Sequence, residues 1–227
     1  MVACTWERSG PANGPVEARV LPDACADLVW TSRDGLIVAG PDTGPVLHRL
    51  TQEFRAVGLR MRPGTAGAVL GLPLNELRDL RVPLEEVWGG EAERLADALE
   101  AAPGPDERRV LLERAVAPMV ASAQPDPLVS QAIPLLGRHG SRVADVCRAL
   151  AVSERQLRRR FDRAIGYGPK TLHRVLRFRG FLDHVREGTT GRDGLATLAA
   201  GLGYADQPHL TRECRALAGL TPAELAP

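Results

Sequence analysis

The sequence predicts an α+β protein of two domains: a small β-barrel or sandwich with a helical tail over residues 1–124, and an all-α domain over 125–227. Three observations carry this. Short apolar runs alternate with turn residues through the first sixty positions. A helical pattern repeats itself at an offset of 52 to 53 residues in the last hundred. Between them, Pro125 and Pro127 break a helical rhythm where the charge balance also changes sign.

The strands come first. Val16–Val20 alternates, and Leu28–Trp30, Leu36–Ala39 and Val46–Leu50 follow, parted by Gly, Pro and Asp turns. Val57, Leu59 and Met61 then share one face, with Gly58, Arg60 and Arg62 on the other, because side chains alternate along a strand. Several short strands at close spacing suggest a small barrel or sandwich. The tail reads as a short helix over 66–70, a longer one over 91–101 and a third over 106–121. In the third, Val110, Leu111, Leu112, Val116 and Met119 cover more than one helix face, which predicts burial against more than one neighbour. That burial is met either by self-association as a homodimer or wholly within the chain.

The helical half contains the repeat. Val143, Val146, Cys147 and Leu150 occupy one helix face, and Leu195, Leu198, Ala199 and Leu202 do the same 52 residues later. A short break and a capping residue follow each run, Ser153 in the first and Asp206 in the second. Ser153 and Gln156 have the spacing of a reciprocal cap, so a helix starts there. Leu157 and Phe161 then face inward, matched 53 residues on by Leu210 and Cys214. Each unit closes on the same punctuation, Gly166-x-x-Pro169 and Gly219-x-x-Pro222. A helix from Lys170 to about Glu187 joins the two, with Leu172, Val175, Leu176, Leu182 and Val185 on its inner stripe.

Charge is divided unevenly. Residues 126–227 carry 16 basic and 10 acidic side chains, against 13 and 18 in the remainder, so only the second half suits a polyanion. All but Lys170 of the basic residues are arginine, a skew that by itself says nothing about DNA. No apolar run reaches the ~18 residues of a membrane helix, and the first fifteen residues hold no signal-peptide core, which points to the cytoplasm and no membrane partner. Cys4, Cys25, Cys147 and Cys214 lie far apart, and His48, His139, His173, His184 and His209 have no metal-ligand spacing. Gly201-x-Gly203 does not follow a strand, so it is no dinucleotide loop. No catalytic group, metal or cofactor is expected.

This pattern resembles the AraC family of bacterial transcription regulators. The segments that carry it are VADVCRALAVSERQLRRRF (143–161), GYGPKTLHRVLRFRGFL (166–182), LATLAAGLGYADQPHLTREC (195–214) and AGLTP (218–222). LPDACADLVW (21–30), VAGPD (38–42) and VGLRMRPGTAGAVLG (57–71) resemble the β-rich, cupin-like sensor domain of an actinobacterial-type branch. The resemblance implies two helix-turn-helix units, double-stranded DNA as partner, a small-molecule effector or a dimerisation role in the first half, and contact with RNA polymerase. One departure is Cys214, where the family usually has an aromatic residue.

A recognition helix presents a few side chains to base edges in the major groove. Arg155, Arg158 and Arg159 point outward in the first unit, and arginine reads guanine through two parallel hydrogen bonds. In the second, the matching positions are Gln207, Thr211 and Arg212, beside Pro208, which has no side-chain donor. Arg160 lies nearer the flank, and His209 reads as a surface histidine. Arg142, Lys170, Arg174 and Arg192 are candidates for phosphate. For the effector, Trp30, His48, Phe54, Arg60, Met61 and Arg62 are the candidate lining, with ordinary core and solvated arginines as the competing reading. Two alternatives stay open: a cysteine-based alkyl- or redox-responsive DNA-binding protein using Cys25, and a constitutive dimeric DNA binder without effector.

Overall fold

The computed structural model describes residues 1–11, 13–188 and 194–226. Strands β1 (Val2–Ser9), β2 (Val16–Val20), β3 (Ala26–Thr31), β4 (Gly35–Ala39), β5 (Val46–Leu50) and β6 (Arg55–Met61) open the chain. Helix α1 (Ala66–Leu70), a 3-10 turn at Leu74–Leu77, strand β7 (Arg81–Pro83) and helices α2 (Glu85–Trp88), α3 (Gly90–Ala101) and α4 (Pro105–Ser122) follow. The remainder is helical: α5 (Pro127–Leu136), α6 (Val143–Ala149), α7 (Glu154–Ile165), α8 (Pro169–Arg186), α9 (Gly194–Gly201), α10 (Gln207–Ala218) and α11 (Pro222–Leu225). The fold is α+β, with β-rich and double helix-turn-helix parts.

The strands form an antiparallel sheet of order β1-β6-β3-β4-β7 and a two-stranded ribbon, β2-β5. Register sorts the side chains. Leu28 lies opposite Val38 on one side and Leu59 on the other, and Trp30 opposite Leu36 and Val57. These residues share one face of the sheet and form a core with Val69, Leu99, Leu112 and Val116 from α1, α3 and α4. Asp27, Val29 and Thr31 fall on the opposite face, where Asp27 lies directly across from Arg60. In α4, Leu112 and Val116 are buried and Leu111 and Met119 pack against the same core, while Val110 stays 43% exposed. Burial within the chain thus absorbs most of that helix's apolar surface.

A second core fills the helical half, built on Val129, Val146, Leu157, Phe161, Phe178, Phe181 and Leu210. Among the described residues its buried contribution from the first half is Ala24, in the turn between β2 and β3. Among the elements that the sequence did not reveal are β1 and α5. β1 pairs along β6, and Trp6 lies over Gly58, where an added Cβ would come within 2.3 Å of the ring. Helix α5 begins directly at Pro127, because the first helical position needs no N–H, and Asp126 accepts hydrogen bonds from the amides of Leu128 (2.9 Å) and Val129 (3.3 Å).

Candidate nucleic-acid interface

The first unit is α6 and α7. Val143, Val146 and Cys147 of α6 are buried, and the turn passes through Ala151 at φ +52°. Ser153 then caps α7 reciprocally: its Oγ accepts from the Gln156 amide at 3.2 Å, and Gln156 Oε1 accepts from the Ser153 amide at 3.0 Å. Such caps contribute on the order of 1 kcal/mol. Leu157, Phe161 and Ile165 are buried against the helical core, so 3.6-residue periodicity leaves Arg155, Arg158 and Arg159 exposed. Arg158 has a loose contact with Asp162 at 3.8 Å, whereas Arg155 and Arg159 have no acidic partner among the described residues. Arg160 is not on this face. Its Nη1 donates to both carboxylate oxygens of Asp126 at 3.0 Å, tying α7 to the start of α5.

The second unit is α9 and α10. Asp206 caps α10 by accepting from the His209 amide at 2.6 Å, and Pro208 sits in the first turn. Leu210, Cys214, Leu217 and Ala218 are buried. Gln207 and Arg212 are exposed, while Thr211 is half-buried and its hydroxyl donates to the Gln207 carbonyl at 3.0 Å. His209 stands edge-on to Tyr204 at 5.3 Å, and the Arg177 guanidinium lies over the same ring at 4.8 Å. The unit's packing is therefore polar-aromatic around Tyr204, where the first relies on Phe161.

Helix α8 sets the two units apart. Lys170 is exposed at its start. Arg174 is held instead by Glu213 of α10, Nε donating at 2.9 and 3.2 Å, so its charge is already matched within the protein. Arg142 is exposed at the N-cap of α6, and Arg192 lies outside the described residues. A cleft of about 700 Å³ opens between the units, with Arg138, Arg142, Lys170 and Arg177 on its walls. His173, hydrogen-bonded to Ser141 at 3.3 Å, is held below its ordinary pKa by burial and then by Arg177.

Residues 146–226 match the model of a helix-turn-helix domain, and residues 1–83 match a domain of unknown function, DUF6597. The chain carries an AraC-type helix-turn-helix domain. It is a DNA-binding regulator built around that domain. Structures of ToxT from Vibrio cholerae lie over most of the chain: one at 13% identity and TM-score 0.48, covering 97% of this chain and 94% of that one. Another stands at 11% and 0.46, covering 97% and 96%. A third, described as bound to unsaturated fatty acid, stands at 12% and 0.43, covering 96% of each. No curated protein matches the sequence. AraC-type regulators are generally not enzymes. Among the described residues, no helix is long and apolar enough to cross a membrane and no His, Cys, Asp or Glu group is arranged to hold a metal ion.

Outside the AraC-type domain, the effector candidates do not converge. Trp30 and Met61 are in the sheet–helix core, with the Arg108 guanidinium stacked 4.1 Å from the Trp30 ring centroid. Arg60 is on the opposite face, donating to Asp27 at 3.0 and 2.8 Å and reaching Asp23 at 2.7 Å. His48 belongs to the ribbon and is held below its ordinary pKa by burial and then by Arg81. Phe54 is half-buried in the turn before β6, and Arg62 is exposed, donating to the Val2 carbonyl at 3.3 Å. Cys25 is partly buried, and its thiol is pushed up to about 12 by burial and then by Asp23, which starves it of thiolate.

The sequence reading missed the residues that tie the AraC-type domain to the rest. Tyr167, following α7, is fully buried, its hydroxyl without a partner, and burial followed by Asp23 raises its pKa. Arg19 of β2 donates to the Ala218 carbonyl at the end of α10, and Arg179 to the Asp23 carbonyl at 3.4 Å. The C-terminal half of α7 packs on α1 and the 3-10 turn: a Cβ on Gly67 would lie 3.1 Å from the Arg163 carbonyl. An Asp directly before Pro127 is a legible capping signal; the burial of Tyr167 left none.

Proposed function

We propose that this regulator reads a non-palindromic DNA site through both units, with α7 supplying most of the specificity, and that residues 1–124 control residues 125–227 in the cytoplasm through a small effector. The observation that carries the first part is the set of exposed arginines on α7, Arg155, Arg158 and Arg159, backed by a fully buried stripe that fixes which way the helix faces. Arginine donates two hydrogen bonds to guanine O6 and N7, and such a pair discriminates by about 1–3 kcal/mol. On α10, Gln207 and Arg212 read adenine and guanine, but Thr211 has its donor committed to the helix backbone. DNA phosphates follow the cleft between the units, held by Arg142 and Lys170. Arg174 contributes little there, since Glu213 already holds it.

The experiment is selection of bound sites from random DNA, followed by Arg159→Ala on the selected operator and on scrambled DNA at one salt concentration. Loss on the operator alone, with relaxation at one base position, is the expected result. Equal losses on both DNAs would show that Arg159 holds phosphate only.

A further inference from the structure

The effector candidates are dispersed, but a different cavity lies where the two halves meet. A cleft of about 530 Å³ runs between α1 and α7. One wall is apolar and small, with Ala68, Leu72 and Pro73 of the first half. The other is α7, with Arg159, Arg160 and Arg163. Its size falls in the range of small-molecule sites.

The arginines are not equivalent. Arg160 is neutralised by Asp126, which also lines the cleft. Arg159 and Arg163 have no acidic partner among the described residues, and they stand one helical turn apart on the same side of α7. Two unmatched guanidiniums at that spacing suit a tetrahedral dianion, which offers oxygens to both, better than a single carboxylate, which one guanidinium already satisfies. The apolar wall adds a place for a carbon body. It is held firmly against α7, since a Cβ on Gly67 would come within 3.1 Å of the Arg163 carbonyl. We infer that this cleft binds a small organic phosphate monoester, its phosphate between Arg159 and Arg163 and its apolar body against Ala68 and Leu72. Arg159 also belongs to the base-reading face, so ligand and operator draw on the same guanidinium and exclude one another. The inference rests on the effector reading above and moves its site from the β-sheet to the junction with α7.

The test uses the full chain and phenyl phosphate, with inorganic phosphate as the arm lacking an apolar body. Calorimetry should show one saturable phenyl phosphate site, at least tenfold tighter than inorganic phosphate. Arg163→Gln should weaken it at least tenfold, and Ala68→Glu, which places a carboxylate in the cleft, should abolish it, with circular dichroism unchanged for both. Phenyl phosphate should displace operator DNA from the wild type but not from Arg163→Gln, whose DNA affinity is retained. Absence of saturable binding, or binding untouched by both variants, overturns the site. A reduced salt dependence of DNA binding in Arg163→Gln also overturns it, because the cleft would then hold a DNA phosphate. Phenyl phosphate binding without displacement leaves the site standing and removes Arg159 from the base-reading face, so the two readings fail separately.

Discussion

The two helix-turn-helix units share a scaffold and differ in what fills it. In the first, Phe161 fills the inner face of α7 and a reciprocal Ser153–Gln156 cap starts the helix. In the second, Cys214 takes the place of Phe161, and Asp206 caps α10 from one side only. Tyr204 is buried in the same core, covered by Arg177 and His209. The proposed reading faces differ likewise: three exposed arginines against Gln207 and Arg212 beside Pro208. A repeat can therefore keep its helix spacing while its core chemistry and its reading chemistry drift together, because both are set by side chains on one short helix.

The strongest way to break this comparison is in the cores. Phe161→Ala should cost about 3–5 kcal/mol in urea unfolding of the full chain, as large-to-small changes in packed cores do. Cys214→Ala, which removes one heavy atom, should cost about 1 kcal/mol. Equal costs would mean that the second unit leans on position 214 as heavily as the first leans on 161. Next comes recognition: Arg159→Ala should lose about 1–3 kcal/mol of operator binding and Arg212→Ala less, measured on the same DNA. A larger loss for Arg212→Ala would move the dominant reading head to α10. The salt dependence of binding sharpens the role of α8. Lys170→Ala should lower the slope by about 0.9, the value of one phosphate, whereas Arg174→Ala should leave it nearly unchanged and instead destabilise the fold by stranding Glu213. The smallest contrast concerns the thiols. Burial raises both Cys147 and Cys214, the latter to about 12, so neither should react with a maleimide in native protein at pH 8, while exposed Cys4 should. Rapid native labelling at Cys214 would show a second unit that opens on its own.

How much of this the sequence revealed depended on locality. The helices α6, α7, α8 and α10 were legible because caps, Gly closures and 3.6-residue periodicity are all short-range signals. Ser153 with Gln156 located the start of α7 to the residue. β2 and β6 were legible by alternation, and β3, β4 and β5 as short apolar runs between turn residues. β1 was not, because Val2, Cys4 and Trp6 make a short stripe that ends in Glu7 and Arg8, and its partner β6 lies far away along the chain. α5 was hidden because Pro127, read as a breaker, is a helix starter when Asp precedes it. Phe178 and Phe181 escaped the predicted stripe of α8, which is buried on more than one side. Of the proposed DNA contacts, Arg155, Arg158, Arg159, Lys170, Gln207 and Arg212 are exposed, whereas Thr211 is half-buried and Arg174 is held by Glu213. The effector candidates did not gather, since strand parity places Trp30 and Arg60 on opposite faces of one sheet, and which strands pair decides who else joins them.

The β2–β5 ribbon is held at one end by Arg19, whose guanidinium donates to the last carbonyl-bearing turn of α10. Two strands by themselves are at best marginally stable in water. A cation at a helix C-terminus is favoured by the helix dipole, so the contact serves both partners. The ribbon thus borrows part of its order from a helix some two hundred residues further along the chain. In amide-exchange terms, Glu17, Arg19 and their partners Arg49 and Leu47 should belong to the same protection group as the end of α10, not to the neighbouring five-stranded sheet. A change at the end of α10 is therefore expected to reach that ribbon through Arg19.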